Sequence, residues 1–481
     1  MSYEAVLLLL VFCPVIGAFI LPLFATASER LRNIAALIMV AISFVCSLVL
    51  LGPVGSGRTI TVTSGFAPGF GLFRADMLAV FMAIVSSLVG TIIVFYSWDY
   101  ISHYEERNEY YLMVVLFLGA MMGLVFARNL IFLYIFWEIT AIASWRLIGF
   151  FRDKTAVIRA DKAFLVTVFG ALMMLIGFIL VYNKTGSFDY GVISEKLRND
   201  PLPNVATLLI LVGILAKSAT LPLHTWLPDA GVAPSPVTAL LHAAVLVKIG
   251  VYVFARLFVA TFTIEEVWHT AVPIIAASSA LVSAGAALIE TDIKRVIAYS
   301  TISQIGFIFL GLATGSPIGI AGALIYILMH GLAKGGLFLC AGIVEQNTKV
   351  KDITKMGGLI KTMPVTAIAF LLCTFSVMGI PPFGGFFGKY MVITGAVNAG
   401  QLAVAITFIV GGFLTIIYLL RLFTLIFLGD LKIDAKEKSP AMVASVAALA
   451  VLSLVAGIMI AYPSALAHVA TVQMLGPGGL Q

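Results

Sequence analysis

Five charged side chains lie inside long apolar stretches of this sequence: Glu138, Lys217, Lys248, Lys334 and Lys389. A charged group at the middle of a membrane helix costs about 2.5–3.5 kcal/mol on insertion scales. Such groups usually face the protein interior, pair with one another and mark an ion path. Because burial favours the neutral form of lysine and a nearby carboxylate favours the charged form, a buried lysine can bind and release a proton. The pattern indicates proton transfer along a buried chain of charges.

A histidine extends this chain. His330 precedes Lys334 by four residues in the segment LMHGLAKGGLF, a spacing that places both side chains on one face of a helix. A lone histidine is more often a satisfied core residue, but a His–Lys pair inside an apolar helix favours proton transfer. Each buried charge also has a structural interpretation, as part of a helix-packing ion pair or as a lysine that extends toward the membrane surface. The sequence leaves those alternatives open.

Four other polar residues lie near the chain of charges and are candidates for accessory roles. They are His224, Asp229, His242 and Arg146. The first three fall with Lys217 and Lys248 in the stretch from residue 208 to residue 252.

The composition places the whole chain in a membrane. Of 481 residues, 61% are hydrophobic and only 11% are charged, and the mean hydropathy is +1.10. A soluble domain is closer to half apolar and a quarter charged. The net charge of +6 is typical of basic loops in a membrane protein rather than of nucleic-acid binding. The four cysteines lack metal-ligand or CxxC spacing, and we expect no cofactor, no metal and no nucleic-acid partner.

The apolar runs predict an all-α polytopic membrane protein with about fourteen transmembrane helices. Loops after odd-numbered helices carry more Lys and Arg than loops after even-numbered helices, which predicts both termini on the outer side. The predicted spans are 3–24, 31–52, 76–98, 110–127, 129–150, 160–182, 203–224, 234–256, 269–289, 295–313, 318–344, 363–395, 401–428 and 440–462.

Prolines interrupt two of these helices. The seventh contains Pro222 and is followed by Pro228, and the twelfth contains Pro381 and Pro382. Proline removes a backbone donor and clashes with the preceding turn, and unwound backbone at membrane depth requires a protein-lined or hydrated surrounding. Paired broken helices in two halves of a chain are typical of inverted-repeat transporters. A simple kink in each helix is the alternative.

Two segments outside the main spans carry weaker signals. Residues 53–75 alternate TVT with turn-forming glycines, which predicts a short hairpin. Only a short segment follows Tyr462, so we expect no long C-terminal lateral helix.

Six motifs resemble one family. FWEITAIASWRLIGF, AKSATLPLHTWLPDA, SPVTALLHAAVLVKIGVY, TDIKRVIAYSTISQIGF, HGLAKGGLF and GIPPFGGFFGK are similar to the signatures of antiporter-like subunits of respiratory complex I, multi-subunit sodium/proton antiporters and membrane-bound hydrogenases. The resemblance covers residues 70 to 430 in order. It implies two inverted five-helix repeats with broken helices 7 and 12. The implied divisions are 1–109, 110–256 (helices 4–8), 257–430 (helices 9–13) and 431–481.

The resemblance also implies roles for the buried charges. Glu138 matches the family's glutamate and Lys217 the lysine that pairs with it, while Lys248 matches a connecting basic residue. His330 and Lys334 match the central pair of helix 11. Lys389 matches the residue of helix 12 that begins the exit step.

Arg146 departs from the family pattern, which has an apolar residue at this position. A place among cytoplasmic headgroups, a perturbed proton-input path and a contact with a neighbouring subunit are the alternatives.

The implied function is proton translocation within a redox-driven complex, of the NADH:quinone oxidoreductase or membrane-bound hydrogenase type. The alternative is a subunit of a stand-alone multi-subunit Na⁺/H⁺ antiporter. Redox chemistry would belong to a partner, since no redox or hydrolytic motif is present. The expected partners are other membrane subunits, including homologous antiporter-like ones, together with lipid and H⁺, with Na⁺ elsewhere in the complex. The expected location is a prokaryotic plasma membrane. A purely structural membrane scaffold is a third possibility, disfavoured by the buried charges.

Overall fold

The computed structural model describes residues 2–63 and 71–476, with Ala244 described by its backbone only, and most of this chain is helical. The helices, in chain order, are α1 Tyr3–Ala27, α2 Glu29–Gly55, α3 Met77–Tyr100, α4 Arg107–Phe126, α5 Leu130–Ile148, α6 Lys154–Thr185, α7 Tyr190–Leu197, α8 Asn204–Lys217, α9 Trp226–Asp229, α10 Ser235–Ala239, α11 Leu246–Phe254, α12 Val267–Ile289, α13 Ile293–Ala313, α14 Pro317–Thr348, α15 Pro364–Met378, α16 Gly384–Asn398, α17 Leu402–Phe427, α18 Pro440–Ile458 and α19 Ala461–Leu475.

Two strands, β1 Ile60–Thr63 and β2 Gly71–Ala75, pair in antiparallel fashion between α2 and α3. This pairing agrees with the hairpin predicted within residues 53–75, while the residues that connect the strands, 64–70, lie outside the described residues. The short helices α7 and α19 were not predicted.

Twelve segments of the described chain are long and apolar enough to cross a membrane: α1 to α6, Ser235–Val259, α12 to α14, α17 and α18. Two shorter apolar helices, α8 and α15, are each followed by a break and a second helix, α9 and α16 respectively. The twelve spans and the two broken helices account for the fourteen predicted membrane helices. The fold class is therefore confirmed.

One face of the bundle carries the start of α1, the end of α2 and the start of α3, because successive spans alternate in direction. The C-terminal helix α19 ends at this face. The Gln473 side chain accepts a hydrogen bond from Met77 N at 2.8 Å and donates one to Val54 O at 3.3 Å. We call this the terminal face, and we call the other the opposite face.

The two helix breaks share a register. In each break, a residue with left-handed backbone geometry is followed two positions later by a cis peptide bond to proline. The first break has Ala219 and the cis bond Leu221–Pro222, and the second has Gly379 and the cis bond Pro381–Pro382. The helix predicted to reach residue 224 therefore ends at Lys217, and the helix predicted over 363–395 stops at Met378 and restarts at Gly384. Proline has no backbone N–H, so neither helix continues through its break. The exact repeat boundaries remain a prediction.

The segment Ser235–Val259 is also irregular. It contains two π-helical stretches, 240–244 and 255–259. Such turns insert a residue into an α-helix and change which carbonyls are bonded within it. Neither stretch was predicted from the pattern of residues.

The helices α13 and α14 lie at the centre of the bundle. Both are almost wholly buried, and α14 packs against α3, α10, α13, α15, α16, α18 and α19. In contrast, α2, α6 and α17 expose large apolar side chains such as Ile38, Leu165 and Phe413. Such surfaces suit lipid. The side chains of α14, which pack against neighbouring helices, lie far from the lipid.

Candidate functional site

The four membrane lysines are all buried inside the bundle, and each ammonium group is held by a backbone carbonyl. The acceptors are Trp137 O for Lys217 at 3.3 Å, His242 O for Lys248 at 3.2 Å, Ile297 O for Lys334 at 3.2 Å, and Val377 O for Lys389 at 2.8 Å. None of these Nζ atoms lies within 4.0 Å of a carboxylate oxygen of the described residues. A carbonyl dipole stabilises an ammonium group without fixing it as strongly as a carboxylate would.

The first lysine is positioned by α5 and α8. Lys217 is the last residue of α8, and its ammonium group also lies over the Trp137 ring, 5.1 Å from the centroid. Glu138 follows Trp137 in α5, is partly exposed, and has Tyr134 as a hydrogen-bond partner one turn earlier. Glu138 and Lys217 are thus neighbours across Trp137 and do not form a direct ion pair.

A close approach of backbones brings Lys217 near α11. A Cβ atom at Gly250 would lie 2.0 Å from Ser218 Oγ and 2.6 Å from Ile214 O. Only glycine allows α11 to pack this closely against the end of α8. The same helix carries Lys248 two residues earlier, so the two lysines lie on packed helices.

Lys248 makes the one direct contact between two of the predicted path residues within the described chain. Its Nζ lies 2.5 Å from Nδ1 of His330 on α14. A neutral His330 with its proton on Nε2 accepts this hydrogen bond, while Nε2 has no protein partner. His242, six residues before Lys248, packs its ring in a tilted arrangement against Phe338, with 4.5 Å between the ring centroids, and neither of its ring nitrogens has a partner. Three buried nitrogen bases therefore cluster where α11 meets α14.

A network of uncharged polar groups begins at Lys334. Its Nζ donates to Ser300 Oγ at 2.6 Å, and Ser300 Oγ lies 2.9 Å from the Tyr418 hydroxyl. Gln304 Nε2 donates to that hydroxyl at 3.3 Å, and Gln304 Oε1 accepts from the Tyr326 hydroxyl at 2.6 Å. The network joins α13, α14 and α17, and all its members are buried.

The network ends next to Lys389. Tyr326 lies on α14, and the Lys389 ammonium group is 5.7 Å from the centre of its ring and 4.7 Å from that of Phe307. The same ammonium group binds the last carbonyls of α15, Val377 O at 2.8 Å and Met378 O at 3.5 Å. These carbonyls lack intrahelical partners because the helix breaks there, and they form the negative end of its dipole. The break thus creates the binding site of the lysine.

The accessory candidates lie at or toward the opposite face, except for His242. Asp229 binds Lys162 on α6 at 2.7 Å and Arg295 on α13 at 2.8 Å, so it links the two halves of the chain. Burial raises the pKa of Asp229, but the hydrogen bonds from Lys162 and Arg295 outweigh it, and the net pKa is lowered. His224 is half-buried, and its Nδ1 has no protein partner.

Arg146 forms an ion pair with Glu109 at the start of α4, through Nε at 2.7 Å and through Nη2. It also lies over the Trp145 ring at 5.6 Å. Arg152 pairs with Glu106 and with the same Glu109. Arg146 therefore belongs to a charged cluster at the opposite face and makes no contact with the buried lysines.

The uncharged part of the site was not predicted from the sequence. Ser300, Gln304, Tyr326, Thr415 and Tyr418 were not assigned any role, although the first two lie in a motif that carried the family resemblance. Isolated hydroxyl and amide groups are common in membrane helices and carry no charge penalty that marks them. Their four-residue spacings, Ser300 to Gln304 and Tyr326 to His330, were the available signal.

With this geometry established, comparison with known proteins assigns the family. A family described as "NADH:quinone oxidoreductase/Mrp antiporter, TM" matches residues 127–415, more than half of the chain. The chain belongs to this family. The match spans every path residue from Glu138 to Lys389, and the protein is an integral membrane protein of the antiporter-like type.

Relatives within the family include Na⁺/H⁺ antiporter subunit A1 proteins. That of Staphylococcus saprophyticus is 34% identical over 484 residues, which cover 93% of this chain and 60% of that protein. That of Staphylococcus aureus is 32% identical with the same coverage. The chain thus spans about 60% of the length of these curated relatives.

Solved structures share the fold over nearly the whole chain. A subunit of the Mrp complex from Dietzia sp. DQ12-45-1b superposes with a TM-score of 0.91 at 24% identity, covering 100% of this chain and 99% of that one. A chain of an archaeal membrane-bound sulfane sulfur reductase gives 0.91 at 25% identity and 98% of both chains. A chain of respiratory complex I from Thermus thermophilus gives 0.85 at 24% identity, covering 98% and 100%. The antiporter-like fold is thereby established.

Proposed function

We propose that this chain is a proton-translocating, antiporter-like subunit of a multi-subunit membrane complex. One observation carries the proposal: four buried lysines lie in one connected core, none neutralised by a contacting carboxylate of the described residues, and one of them, Lys248, contacts His330. A lysine fixed by a carboxylate would stay charged, whereas a lysine held by carbonyls in a low-dielectric core exchanges a proton more readily. This arrangement fits proton movement better than a structural ion pair.

The proposed path runs along the bundle from Glu138 and Lys217 to Lys248 and His330. Helices α8 and α11, which carry the two lysines, touch at Gly250. Lys217 and Lys248 make no direct contact with each other, so the proposed path requires bridging water between them.

The second half of the path uses protein groups. One helical turn separates His330 from Lys334, and Ser300, Tyr418, Gln304 and Tyr326 continue from there toward Lys389. The amide of Gln304 orients the two tyrosine hydroxyls because its Nε2 donates and its Oε1 accepts. Lys389, beside the broken helix, is the proposed exit group.

Two host complexes are supported. The membrane-bound sulfane sulfur reductase and complex I chains that share the fold come from respiratory complexes, which supports a redox-driven host. The Staphylococcus relatives are named as Na⁺/H⁺ antiporter subunits, which supports an antiporter driven by an ion gradient. In either host, other membrane subunits, including homologous antiporter-like ones, are the proposed partners, with H⁺ as the ion carried here and Na⁺ carried elsewhere.

Location and orientation follow from the same reasoning. The bacterial relatives support a prokaryotic plasma membrane. The excess of Lys and Arg in the loops at the opposite face supports that face as cytoplasmic, with both termini and the terminal face outside.

Purification of the complex from its native membrane tests the proposal. Iron–sulfur or hydrogenase-type subunits in the mass spectrum select the redox-driven host, and only small membrane subunits select the antiporter. In proteoliposomes, Glu138→Gln should strongly reduce proton transport, while Glu195→Gln, a matched change on the surface helix α7, should not. Equal transport by both variants would exclude Glu138 from the path.

A further inference from the structure

A cavity of about 860 Å³ opens at the terminal face. It lies between the start of α3, the helix α7, the end of the Ser235–Val259 segment and the end of α19, and its lining includes Arg74, Asp76, Tyr190, Arg198, Arg256 and Gln473. Its volume suffices for on the order of 30 water molecules, at about 30 Å³ each. The Tyr190 hydroxyl is buried and has no protein partner. A polar cavity of this kind holds water.

A closed set of hydrogen bonds forms the inner wall of this cavity. Arg256 binds Asp76 through Nη1 at 2.6 Å and Nη2 at 2.7 Å, and both residues are buried. The remaining Nε of Arg256 donates to the Tyr252 hydroxyl at 2.9 Å. That hydroxyl donates in turn to Val125 O on α4 at 2.5 Å. We call Asp76, Arg256 and Tyr252 the outer plug.

The outer plug lies directly between the cavity and the centre of the path. Lys248, Tyr252 and Arg256 follow one another at intervals of four residues, so they lie one above the other on one helical face. Lys248 binds His330 at the inner end of this row, and Arg256 lines the cavity at the outer end. Only two helical turns of protein therefore separate the central Lys248–His330 pair from the cavity.

We propose that the outer plug is a barrier that prevents protons from passing between Lys248 and the outward cavity. The inference rests on the proposed function, which makes Lys248 a path residue. It adds that protons cannot leave the path from Lys248 through the cavity in the first half of the chain. Exit is thereby restricted to the far end of the path, at Lys389.

The chemistry of the plug suits a barrier and not a relay. Arg256 does not deprotonate in proteins, so it cannot relay a proton by titrating. The Tyr252 hydroxyl already donates to Val125 O and already accepts from Arg256. Asp76 neutralises Arg256 through two hydrogen bonds and also caps α3 by accepting from Ala79 N at 3.1 Å. Every polar group of the plug is engaged, so none is left to carry a proton.

The test removes both charges together, so that neither is left buried alone. The intact complex carrying Asp76→Asn and Arg256→Gln is reconstituted into vesicles, and passive proton flow is followed with an internal pH dye after a pH step, without Na⁺ or a redox substrate. We expect at least a tenfold faster leak than in the unchanged complex. Adding Lys248→Met should return the leak to the original rate, because the opened route passes through Lys248. Tyr252→Phe, which removes one hydroxyl and no charge, should raise the leak less.

Arg198→Gln is the matched control. Arg198 lines the same cavity but makes no hydrogen bond or ion pair with any member of the outer plug, so its loss should leave the leak unchanged. An assembled Asp76→Asn/Arg256→Gln complex with no added leak would overturn the proposal. A leak that persists with Lys248→Met would overturn it as well, because protons would then bypass the path.

The result is separable from a failure of the proposed function. Absence of coupled transport in the unchanged complex would count against proton translocation by this chain. The leak assay measures downhill flow alone, and it reports on the outer plug whether or not coupled transport is observed.

Discussion

Replacing Tyr418 by phenylalanine removes one oxygen atom from the centre of the buried network. That oxygen lies 2.9 Å from Ser300 Oγ and 3.3 Å from Gln304 Nε2. Both partners keep another hydrogen bond, Ser300 to Lys334 and Gln304 to Thr415 at 3.2 Å. No buried polar atom is therefore left wholly unpaired, and the shape of the side chain is otherwise preserved.

This geometry predicts a small effect on stability and a larger effect on transport. A lost hydrogen bond with satisfied neighbours costs about 0.5–1.5 kcal/mol of stability. Transport is affected more, because the hydroxyl is the only group that joins Ser300 to Gln304 among the described residues. If a proton must cross this gap unaided, an added barrier of about 1–3 kcal/mol slows it roughly 5- to 150-fold.

Proton transport by the reconstituted complex, measured beside its thermal unfolding, provides the assay. Tyr390→Phe is the matched control, since Tyr390 lies on the exposed face of α16 and loses the same atom. We expect Tyr418→Phe to slow transport at least fivefold with little change in unfolding temperature, and Tyr390→Phe to change neither. Equal transport by the two variants would show that the network only packs the helices.

Three further outcomes follow from the geometry. Lys389→Glu should retain more transport than Lys389→Met, since a carboxyl group can also titrate and a thioether cannot; equal loss in both would instead indicate a fixed ammonium–carbonyl contact. Gly250→Ala should destabilise the protein by about 1–3 kcal/mol in thermal unfolding, because the new Cβ would meet Ser218 Oγ at 2.0 Å, whereas Gly412→Ala meets nothing within 4 Å and should be neutral. Asp229→Asn should lower the stability of the protein at neutral pH by about 1 kcal/mol. Because the pKa of Asp229 is lower in the folded protein than in the unfolded chain, Asp229 stabilises the fold above its unfolded pKa near 4. This stabilisation is lost as the pH falls through the folded pKa. A difference between Asp229→Asn and the unchanged protein that does not narrow as the pH falls below the unfolded value would contradict this assignment.

The charged half of the site was predictable because burial of charge is costly. Lysines in apolar segments stand out in a sequence, and the four-residue spacing of His330 and Lys334 places that pair on one helical face. The distance between Lys248 and His330 could not be predicted, because it depends on how α11 and α14 pack. The contact of Lys217 with Trp137 O, in place of an ion pair with Glu138, likewise required coordinates.

The fold was predictable where hydrophobicity is continuous and less so where it is not. Length and hydropathy identify the spans, and prolines mark the breaks, but the exact ends depend on local geometry such as the left-handed Ala219. The π-helical stretches and the short helices α7 and α19 left no periodic signal. Asp76 and Arg256, which are 180 residues apart in sequence, form an ion pair that only the folded chain reveals.

The role of the buried lysines in proton transport can be tested in the intact complex with Lys217→Ala. Lys217 is fully buried and held by a carbonyl, and alanine fits the space without adding a polar group. Lys436→Ala, at an exposed lysine between α17 and α18, is the control. We expect an assembled Lys217→Ala complex whose proton transport falls at least tenfold while the control is unchanged. Normal proton transport by assembled Lys217→Ala would contradict a lysine path through this protein.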